Sequence, residues 1–341
     1  MSDPAIKPRL RVGLVGAGWV TQHHLAGWQA IADRAEVVAI ADPDLAQAQR
    51  RAEAFNIPHA FASAEAMFDD IALDAVDIAS PRETHAPLVR LAAARGVSVM
   101  CQKPLAPTYD EAVRVVADVA GQTRLMVHEN WRFRQYYRDL GAWLAAGRIG
   151  RVLQAQMTLY TSGLIPDDKG LLPALERQPF IGTLDRALVM EILIHHIDTL
   201  RYLLGDLTLQ YARLGHASAA MRGEDRAAIC FETTQGAPVL LMANLRVHGR
   251  APAQSDRLTL IGEHGTIELE GMTLRCLGEQ PATLQYDAST TYLGSYAAAI
   301  AHFVDALDRG TPFETHPEDN LQTLSLVEAI YARGSSATEH S

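Results

Sequence analysis

The chain contains 341 residues, of which 48% are hydrophobic and 21% are charged, proportions that are typical of a folded protein and argue against a disordered one. Its length predicts two domains, because a single domain usually holds about 100 to 200 residues. The formal net charge of -10, without a long run of Lys and Arg, argues against nucleic acids and anionic membrane surfaces as partners.

The first third of the chain alternates β-branched runs with helical stretches, a pattern typical of βαβ units around a parallel sheet. The predicted strands cover residues Leu10–Val15, 37–41, 75–79, 97–101 and 124–128. Helices are predicted between them, including Leu45–Phe55 and residues 84–94. These elements predict an α/β fold whose N-terminal part is a doubly wound parallel sheet.

The pattern changes after residue 129. A helix is predicted over 134–146 and a strand over Val152–Tyr160. An irregular stretch rich in Pro and Gly follows, which we interpret as a long functional loop. After this loop the sequence predicts a helix over 188–204, a mainly antiparallel sheet over 207–286 and two helices over 296–307 and 317–332. We therefore expect a first domain of residues 1–129 and an α+β domain of residues 130–341 with a large, mainly antiparallel open sheet.

A glycine-rich turn follows the first predicted strand and opens a helix, which is the context of a dinucleotide-binding fingerprint. Its residues are Gly16, Ala17, Gly18, Trp19, Val20 and Thr21. Gly16 permits a tight turn, and Gly18 lacks a Cβ, so a pyrophosphate can approach the backbone N–H groups of a helix N-terminus. Thr21 replaces the third glycine, which predicts slightly wider spacing between helix and strand. Residues 1–129 are thus expected to be a Rossmann domain.

Asp42 ends the second predicted strand, close to the offset of about 20 residues at which a carboxylate binds the adenosine ribose hydroxyls. A carboxylate there repels a 2′-phosphate, and Pro43 and Asp44 follow it instead of an arginine. NAD is therefore expected as the cofactor in preference to NADP. In the alternative interpretation the glycines serve packing and Asp42 only caps the next helix; the combination of strand, glycine turn, helix and carboxylate favours the dinucleotide.

Three further segments resemble the glucose-fructose oxidoreductase, inositol dehydrogenase and rhizopine-catabolism (Gfo/Idh/MocA) family over nearly the whole chain. They are the Ser-Pro-Arg-Glu-Thr-His turn of residues 80–85, the Cys-Gln-Lys-Pro segment of residues 101–104 and the helical segment of residues 191–198. The resemblance implies that the first segment lines the cofactor and that the third carries the catalytic histidine. The fingerprint and the resemblance together predict the cofactor-binding residues Gly16, Gly18, Trp19, Val20, Asp42, Ser80, Pro81, His85 and Lys103.

Two positions depart from the family's pattern. Gln102 stands where the family usually has glutamate, and Glu191 stands where it usually has aspartate. The first change removes a charge beside Lys103, and the second lengthens a side chain by one methylene. Both changes bear on the identity of the substrate more than on the class of reaction.

The expected chemistry requires a base, because hydride removal from a carbon bearing a hydroxyl needs a group that takes the hydroxyl proton. His195 suits this role, since an imidazole with an ordinary pKa near 6.5 exchanges protons at neutral pH. Lys103 would stabilise a developing alkoxide. Glu191, four positions before His195, would share its helix face and orient the imidazole. Lys103, His195 and Glu191 are therefore the predicted catalytic residues.

These residues also have interpretations in which they serve structure and not catalysis. A His and a Glu at helical spacing are also typical of a surface or interface pair, and the family resemblance favours catalysis here. His196 would point away from His195 and serve a structural role. A zinc site from Glu191, His195 and His196 is disfavoured, because adjacent histidines on a regular helix cannot face one ion, and we predict no metal.

The segment after the fifth predicted strand offers polar groups for a substrate. Asn130 and Arg132 could bind sugar hydroxyls or a carboxylate, together with Lys103, Glu191 and His195. Alternatively, neighbouring aromatic residues pack a domain junction while Arg132 and Arg134 form surface ion pairs. For Arg134 we favour the surface pair, and for Arg132 both interpretations stay open.

The leading hypothesis is an NAD-dependent dehydrogenase that oxidises a hydroxyl of a sugar, sugar acid or cyclitol. One alternative is an enzyme that uses tightly bound NAD transiently, as an aldose-coupled oxidoreductase or a glycosidase. Another is a sensor that binds dinucleotide and sugar without catalysis. The family commonly forms dimers or tetramers, so a homo-dimer or homo-tetramer is expected.

The expected location is the cytoplasm. The first nine residues show no apolar segment of a secretory signal, and no apolar stretch reaches the roughly 18 residues of a membrane-spanning helix. Cys101, Cys230 and Cys276 are too widely spaced for a local disulfide framework or a CxxC metal site. We expect all three to be reduced thiols in the core.

Overall fold

The computed structural model describes residues 8–253 and 256–334. It divides into two compact units. The described part of the first unit covers residues 8–133 and Tyr292–Gln322, and that of the second covers residues 134–253, 256–291 and 323–334. The single boundary expected at residue 130 does not describe these units, because the chain returns to the first unit near its C-terminal end.

The described residues of the first unit form a six-stranded parallel sheet in the order β3-β2-β1-β4-β5-β6. The strands are β1 (Leu10–Val15), β2 (Ala35–Ala41), β3 (His59–Phe61), β4 (Ala75–Ile78), β5 (Ser98–Gln102) and β6 (Leu125–His128). The order reverses between β1 and β4, and ligands bind at the carboxyl ends of the strands at such a switch point. The predicted doubly wound sheet is confirmed, although the sequence did not reveal the short β3.

The helices α1 to α5 alternate with the strands of the parallel sheet, as predicted, and α6 to α10 follow later in the chain. The α-helices are α1 (Thr21–Gln29), α2 (Leu45–Phe55), α3 (Ala64–Asp70), α4 (His85–Ala93), α5 (Tyr109–Val119), α6 (Gln135–Ala145), α7 (Pro173–Arg177), α8 (Ile194–Leu204), α9 (Ala288–Arg309) and α10 (Pro317–Gly334). Side-chain caps set several of their starts: Asp44 accepts from the backbone N–H of Gln47 at α2, and Thr108 accepts from that of Glu111 at α5.

The core of the first unit contains aromatic residues from distant parts of the chain. Trp28 of α1 packs edge to face on Phe303 of α9, which stacks on Phe313. These aromatic side chains are buried and contact the apolar face of β1. Burial of such large rings contributes a substantial share of the apolar surface that stabilises the unit.

The described residues of the second unit form an eight-stranded sheet in the order β14-β13-β12-β11-β7-β10-β9-β8. Its strands are β7 (Val152–Tyr160), β8 (Leu207–Gly215), β9 (Arg226–Thr233), β10 (Pro238–Asn244), β11 (Asp256–Gly262), β12 (Gly265–Glu270), β13 (Thr273–Gly278) and β14 (Ala282–Gln285). Neighbouring strands run antiparallel except β7 and β10, which run parallel. The predicted large and mainly antiparallel sheet is confirmed.

One face of this sheet is buried and the other is exposed, as the alternation of its strands predicts. The exposed face carries large apolar side chains, namely Tyr211, Ile261 and Leu277. The face therefore mixes apolar and polar groups.

The helix predicted over residues 188–204 is not regular. Residues Leu188–Leu193 form a π-helical segment, and α8 follows from Ile194 to Leu204. The predicted end at Gly205 is correct, because this residue has a φ of 80° that a glycine adopts easily. Hydrophobic periodicity predicted a helix here but could not distinguish π-helical from α-helical winding.

The expectation that all three cysteines lie in the core is correct for two of them. Cys101 and Cys276 are buried, whereas Cys230 is half-buried because it lies on the less covered side of β9. None of the helices within residues 8–253 and 256–334 combines the length and apolar character required to cross a membrane.

Candidate functional site

The glycine turn after β1 has the geometry that a pyrophosphate requires. Gly16 has a φ of 105°, and a Cβ there would lie 2.8 Å from the carbonyl oxygen of Ala79, so only glycine fits. A Cβ at Gly18 would meet no atom of the described chain within 4 Å. The space beside Gly18 is therefore open at the N-terminal end of α1, where backbone N–H groups favour an anion. Thr21 is buried, and its hydroxyl donates to the carbonyl of Gly18 at 2.6 Å.

Asp42 holds the glycine turn with its carboxylate. One carboxylate oxygen accepts from the backbone N–H of Ala17 at 2.8 Å, and the other accepts from that of Asp44 at 2.9 Å. The side chain that caps α2 is Asp44, which removes the interpretation of Asp42 as that cap. Each carboxylate oxygen can accept a further hydrogen bond, so Asp42 is able to bind ribose hydroxyls while it holds the turn.

Two residues of α2 that the sequence did not single out also hold the glycine turn. Gln47 donates from Nε2 to the carbonyl of Ala17 at 2.8 Å, and Arg51 donates to the carbonyl of Gly18 at 3.1 Å. They are four positions apart and so lie on one face of the helix. That spacing was the signal available in the sequence, but it gives no indication that the face meets the turn.

The residues after β1 and β2 therefore fit a dinucleotide. The fit depends on the open space beside Gly18, the turn at Gly16 that only glycine can form and the spare acceptor positions of Asp42. Trp19 is 49% exposed beside this space, and Val20 is half-buried.

The turn after β4 is organised by its own side chains. The hydroxyls of Ser80 and Thr84 are hydrogen-bonded at 2.6 Å, and Pro81 is exposed. His85 is buried, with Nε2 at 2.9 Å from the carbonyl oxygen of Ser80 and Nδ1 at 2.8 Å from that of Pro104. His85 thus links the turn after β4 to the segment after β5. Burial lowers the pKa of His85, and its hydrogen bonds to the two carbonyls oppose this shift only partly.

Lys103 follows β5 directly, at the carboxyl edge of the parallel sheet. Its side chain is half-buried, and its backbone N–H donates to Oε1 of Gln102 at 2.8 Å. The preceding strand is buried throughout most of its length. The parallel strand therefore sets the position of Lys103 at the edge where doubly wound sheets bind their ligands.

Glu191 and His195 lie on the two parts of the irregular helix in the second unit. Glu191 is half-buried in the π-helical segment, and His195 is 8% exposed in the first turn of α8. The expectation that they share a face assumed regular α-helical spacing, whereas the winding changes between them at Leu193. π-Helical turns occur frequently at functional sites, so this irregularity agrees with a functional role for the segment.

The start of the π-helical segment is held by a buried carboxylate that the sequence did not indicate. Glu224 accepts from the backbone N–H of Val189 at 2.9 Å and from the hydroxyl of Tyr331 at 2.5 Å. The same hydroxyl accepts from the backbone N–H of Met190 at 3.2 Å. Burial and the neighbouring Glu224 raise the pKa of Tyr331 well above its usual value. The side chains come from far along the chain, so their meeting could not be inferred from sequence.

A second buried cluster holds α8 through His196. Nε2 of His196 lies 2.9 Å from Asp256, and Nδ1 lies 3.2 Å from the carbonyl oxygen of Ile192. Arg134 at 3.2 Å and the hydroxyl of Tyr137 at 2.8 Å also donate to Asp256. Burial opposes ionisation of Asp256, but His196 and Arg134 outweigh it and hold the pKa of this carboxyl well below its usual value.

This cluster corrects one expectation and agrees with another. Arg134 forms an ion pair as expected, but the pair is buried and not on the surface, because its partner is the buried Asp256 at the start of β11. His196 is completely buried, which agrees with the structural role expected for it.

Asn130 and Arg132 have partners within the first unit. Asn130 donates from Nδ2 to the hydroxyl of Ser295 at 2.8 Å. Arg132 is 4% exposed and forms an ion pair with Asp319 at 2.8 Å. The ion pair of Arg132 is thus largely buried, whereas the non-catalytic interpretation expected it on the surface. Among residues 8–253 and 256–334, no group of three or more His, Cys, Asp or Glu side chains is arranged to hold a metal ion.

Two family models match the chain. Residues 10–130 match the oxidoreductase family with an NAD-binding Rossmann fold, and residues 137–268 match the C-terminal domain of the same GFO/IDH/MocA group. The two matches together cover most of the chain, and the first ends close to the last strand of the parallel sheet.

Named relatives extend over nearly the whole chain. A D-apiose dehydrogenase of Paraburkholderia graminis is 31% identical over 340 residues, which cover 95% of this chain and 87% of that protein. An inositol 2-dehydrogenase of Saccharopolyspora erythraea is 29% identical and covers 88% of this chain and 86% of its own length. The crystal structure of an oxidoreductase from Agrobacterium radiobacter in complex with NAD+, L-tartaric acid and magnesium has a TM-score of 0.88 at 27% identity, with 96% of this chain and 97% of that chain covered.

Proposed function

Because this chain belongs to the Gfo/Idh/MocA family of NAD-dependent oxidoreductases, we propose that it is a dehydrogenase that oxidises a hydroxyl group of a sugar, a sugar acid or a cyclitol. The observation that carries the proposal is the glycine turn, with open space at Gly18 and a carboxylate at Asp42 that retains acceptor positions. The names of the relatives, which act on apiose and inositol, support the substrate class.

The first unit supplies the residues for the cofactor. NAD, when bound, supplies the acceptor of the hydride. The backbone at Gly16 and Gly18 receives the pyrophosphate, Asp42 accepts from the ribose hydroxyls and disfavours a 2′-phosphate, and Trp19 and Val20 border the same space. Ser80, Pro81 and Lys103 contribute from the turns after β4 and β5, where His85 links the two segments.

The proton chemistry is assigned to three side chains. His195 takes the hydroxyl proton as the general base, which a neutral imidazole does well near neutral pH. The ammonium group of Lys103 stabilises the negative charge that develops on the substrate oxygen. Glu191 orients the imidazole or exchanges a proton with it, and the π-helical turn that carries Glu191 is held in place by Glu224.

Further expectations stay predictions. Asn130 and Arg132 are proposed to bind the substrate, although their contacts with Ser295 and Asp319 equally support a structural role. A cytoplasmic location and a homo-dimeric or homo-tetrameric assembly also stay predictions. The exposed face of the second unit's sheet, with its apolar side chains, is the surface on which we expect subunits to meet.

Two alternatives differ from the leading proposal in what they predict for net turnover. An enzyme that uses tightly bound NAD transiently would convert substrate without accumulating NADH. A sensor would bind dinucleotide and sugar without converting either. The presence of Lys103 and His195 together favours an enzyme, because a sensor has no need for a base and an ammonium group of this kind.

A substrate screen tests the proposal. The purified protein is incubated with NAD or NADP and with a panel of aldoses including apiose, uronic and aldonic acids, and inositols, and NADH or NADPH is followed by absorbance. We expect NADH formation with at least one member of the panel and weaker activity with NADP. Product analysis by NMR in the same samples identifies conversion without NADH. Absence of both signals with every compound would refute the proposed dehydrogenase.

A further inference from the structure

A chain of buried polar side chains lies inside the first unit, behind the backbone of Lys103. It runs from Asp77 of β4 through His24 of α1 to Gln102 at the end of β5. Asp77 and His24 are completely buried, and Gln102 is 9% exposed. The reaction assigned above makes no use of these side chains, so their chemistry calls for a separate explanation.

The first link determines which nitrogen of His24 carries hydrogen. Asp77 accepts a hydrogen bond from Nε1 of Trp28 at 2.8 Å, and its carboxylate oxygens lie 2.9 and 3.1 Å from Nδ1 of His24. A carboxylate can only accept hydrogen bonds, so the nitrogen of His24 that faces Asp77 must donate, as Nε1 of Trp28 does. Nδ1 of His24 is therefore the protonated nitrogen.

The second link is determined from both of its ends. Nε2 of Gln102 lies 3.0 Å from Nε2 of His24, and Oε1 of Gln102 accepts from the backbone N–H of Lys103 at 2.8 Å. Exchanging the amide oxygen and nitrogen would set the amide nitrogen against a backbone donor. The amide nitrogen can only donate, so Nε2 of His24 must accept and carries no hydrogen. His24 is therefore neutral, with its hydrogen on Nδ1.

Other titratable groups surround this chain. His128 from the end of β6 has Nδ1 at 3.4 Å from the amide nitrogen of Gln102, and its ring centroid lies 4.4 Å from that of His24 with the two planes tilted by 37°. His23 adjoins on α1, and Tyr296 of α9 contacts the His24 ring at 5.3 Å. The second amide hydrogen of Gln102 can thus be accepted by His128, which leaves the amide with a partner for each of its polar atoms.

We propose that Gln102 is a positioning residue that holds the backbone of Lys103 through an uncharged amide. Asp77 determines the orientation of this amide, because it fixes the tautomer of His24. A carboxylate at position 102 would set an acceptor against the bare Nε2 of His24, and this contact would require an additional proton. The kinetic part of the inference depends on the proposed role of Lys103. The tautomer of His24 does not depend on that role.

The network suggests a compensating pair of substitutions. Gln102→Glu alone places acceptor against acceptor. In the double variant Asp77→Asn with Gln102→Glu, the introduced amide accepts from Trp28 through its oxygen and donates from its nitrogen to Nδ1 of His24. The hydrogen of His24 then moves to Nε2 and is donated to the new carboxylate. The double variant keeps the net charge of the network and reverses only the direction of its hydrogen bonds.

The kinetic experiment compares wild type, both single variants and the double variant. We expect Gln102→Glu to lower kcat by about tenfold, with little change in KM for NAD, and to add an ionisation to the pH profile of kcat. The double variant should regain most of the lost activity and lose that ionisation. Gln29→Glu, an exposed substitution on α1 with the same charge change, is the matched control and should behave as wild type.

A direct measurement separates this inference from the proposed function. The ¹⁵N chemical shifts of histidine-labelled protein, assigned by the loss of one ring in His24→Asn, report which nitrogen is protonated. We expect Nδ1–H in wild type and Nε2–H in the double variant, whether or not a substrate is known. Nε2–H in wild type would overturn the inference, as would an active Gln102→Glu with an unchanged pH profile. A protein that shows the expected tautomers but no turnover would refute the dehydrogenase and leave the network intact.

Discussion

The residues that hold Lys103 in place differ in charge from the residues that hold His195 in place. In the first unit Lys103 follows an amide and a neutral imidazole, and a carboxylate enters only at the far end of the chain through Asp77. In the second unit the helix that carries His195 is held by charged groups, with Asp256 between Arg134 and His196. One proposed reactive group thus depends mainly on directed neutral hydrogen bonds, and the other depends on buried ions.

This difference predicts different effects for substitutions in the two sets of residues. Removing one partner of a buried ion set leaves an uncompensated charge, which is strongly destabilising. Changing one member of a neutral network mainly reverses or loses a hydrogen bond, so its direction matters more than its strength. We therefore expect substitutions in the second unit to reduce stability first, and those around Gln102 to reduce turnover first.

The largest expected effect is on stability at Asp256. Asp256→Ala leaves Arg134 and His196 without their carboxylate and should lower the free energy of unfolding by about 3 to 5 kcal/mol, measured by urea denaturation. Glu263→Ala is the control, because Glu263 pairs with Arg151 at the surface and its loss should reduce stability far less. Equal losses in the two variants would contradict the claim that the helix carrying His195 depends on buried ions.

The next effect concerns the π-helical segment. Glu224→Gln replaces an anionic acceptor by an amide and should lower the free energy of unfolding by about 1 to 3 kcal/mol, together with a fall in kcat. Tyr331→Phe removes one hydroxyl and should have a smaller effect in the same direction. Circular dichroism checks that the fold is retained. Turnover that is unaffected in both variants would show that the position of Glu191 does not depend on this anchor.

The cofactor preference should change at Asp42. Asp42→Ala removes the acceptor of the ribose hydroxyls and the repulsion of a 2′-phosphate, so the preference for NAD over NADP should fall by about tenfold, measured as the ratio of kcat/KM values. Asp44→Ala is the matched control, because it removes the cap of α2 while leaving Asp42 in place. A ratio that changes equally in both variants would assign the preference to the helix and not to the carboxylate.

The smallest effect is a pH dependence at His85. Burial holds the pKa of His85 below its ordinary value of 6.5, so the unfolded chain takes up this proton first as the pH falls. The corresponding stability is complete above pH 6.5 and is lost between this pH and the lower pKa of the folded protein, by about 1.4 kcal/mol for each tenfold difference in proton affinity. His85→Gln should reduce the slope of stability against pH in this range, whereas the exposed His59→Gln should not.

Sequence and structure agree best where one local pattern determines the outcome. The strand before Gly16, the open position of Gly18 and the carboxylate of Asp42 could be read from the chain because strand, turn and second strand follow in a fixed order. The mainly antiparallel sheet followed from alternation. The three residues of β3 are too few for such a pattern.

The residues that sequence did not reveal act across long separations. Glu224 meets the π-helical segment and Tyr331, and Asp256 meets His196 and Arg134, only after the second unit has folded. The π-helical winding also escaped detection, because one additional residue in a turn hardly alters an apolar pattern. Gln102 departs from the family's pattern in the sequence, but its role depends on the orientation of His24, which the sequence does not specify.

Substitution of His195 tests most directly whether this residue is the general base of a dehydrogenase. With a substrate identified by the screen, kcat is measured for wild type, His195→Ala and the exposed control His59→Ala, and NAD binding is measured by titration calorimetry. We expect a fall in kcat of about 10² to 10⁴ in His195→Ala, with NAD affinity unchanged and with His59→Ala equal to wild type. A His195→Ala variant that turns over at the wild-type rate would contradict the assignment of the general base.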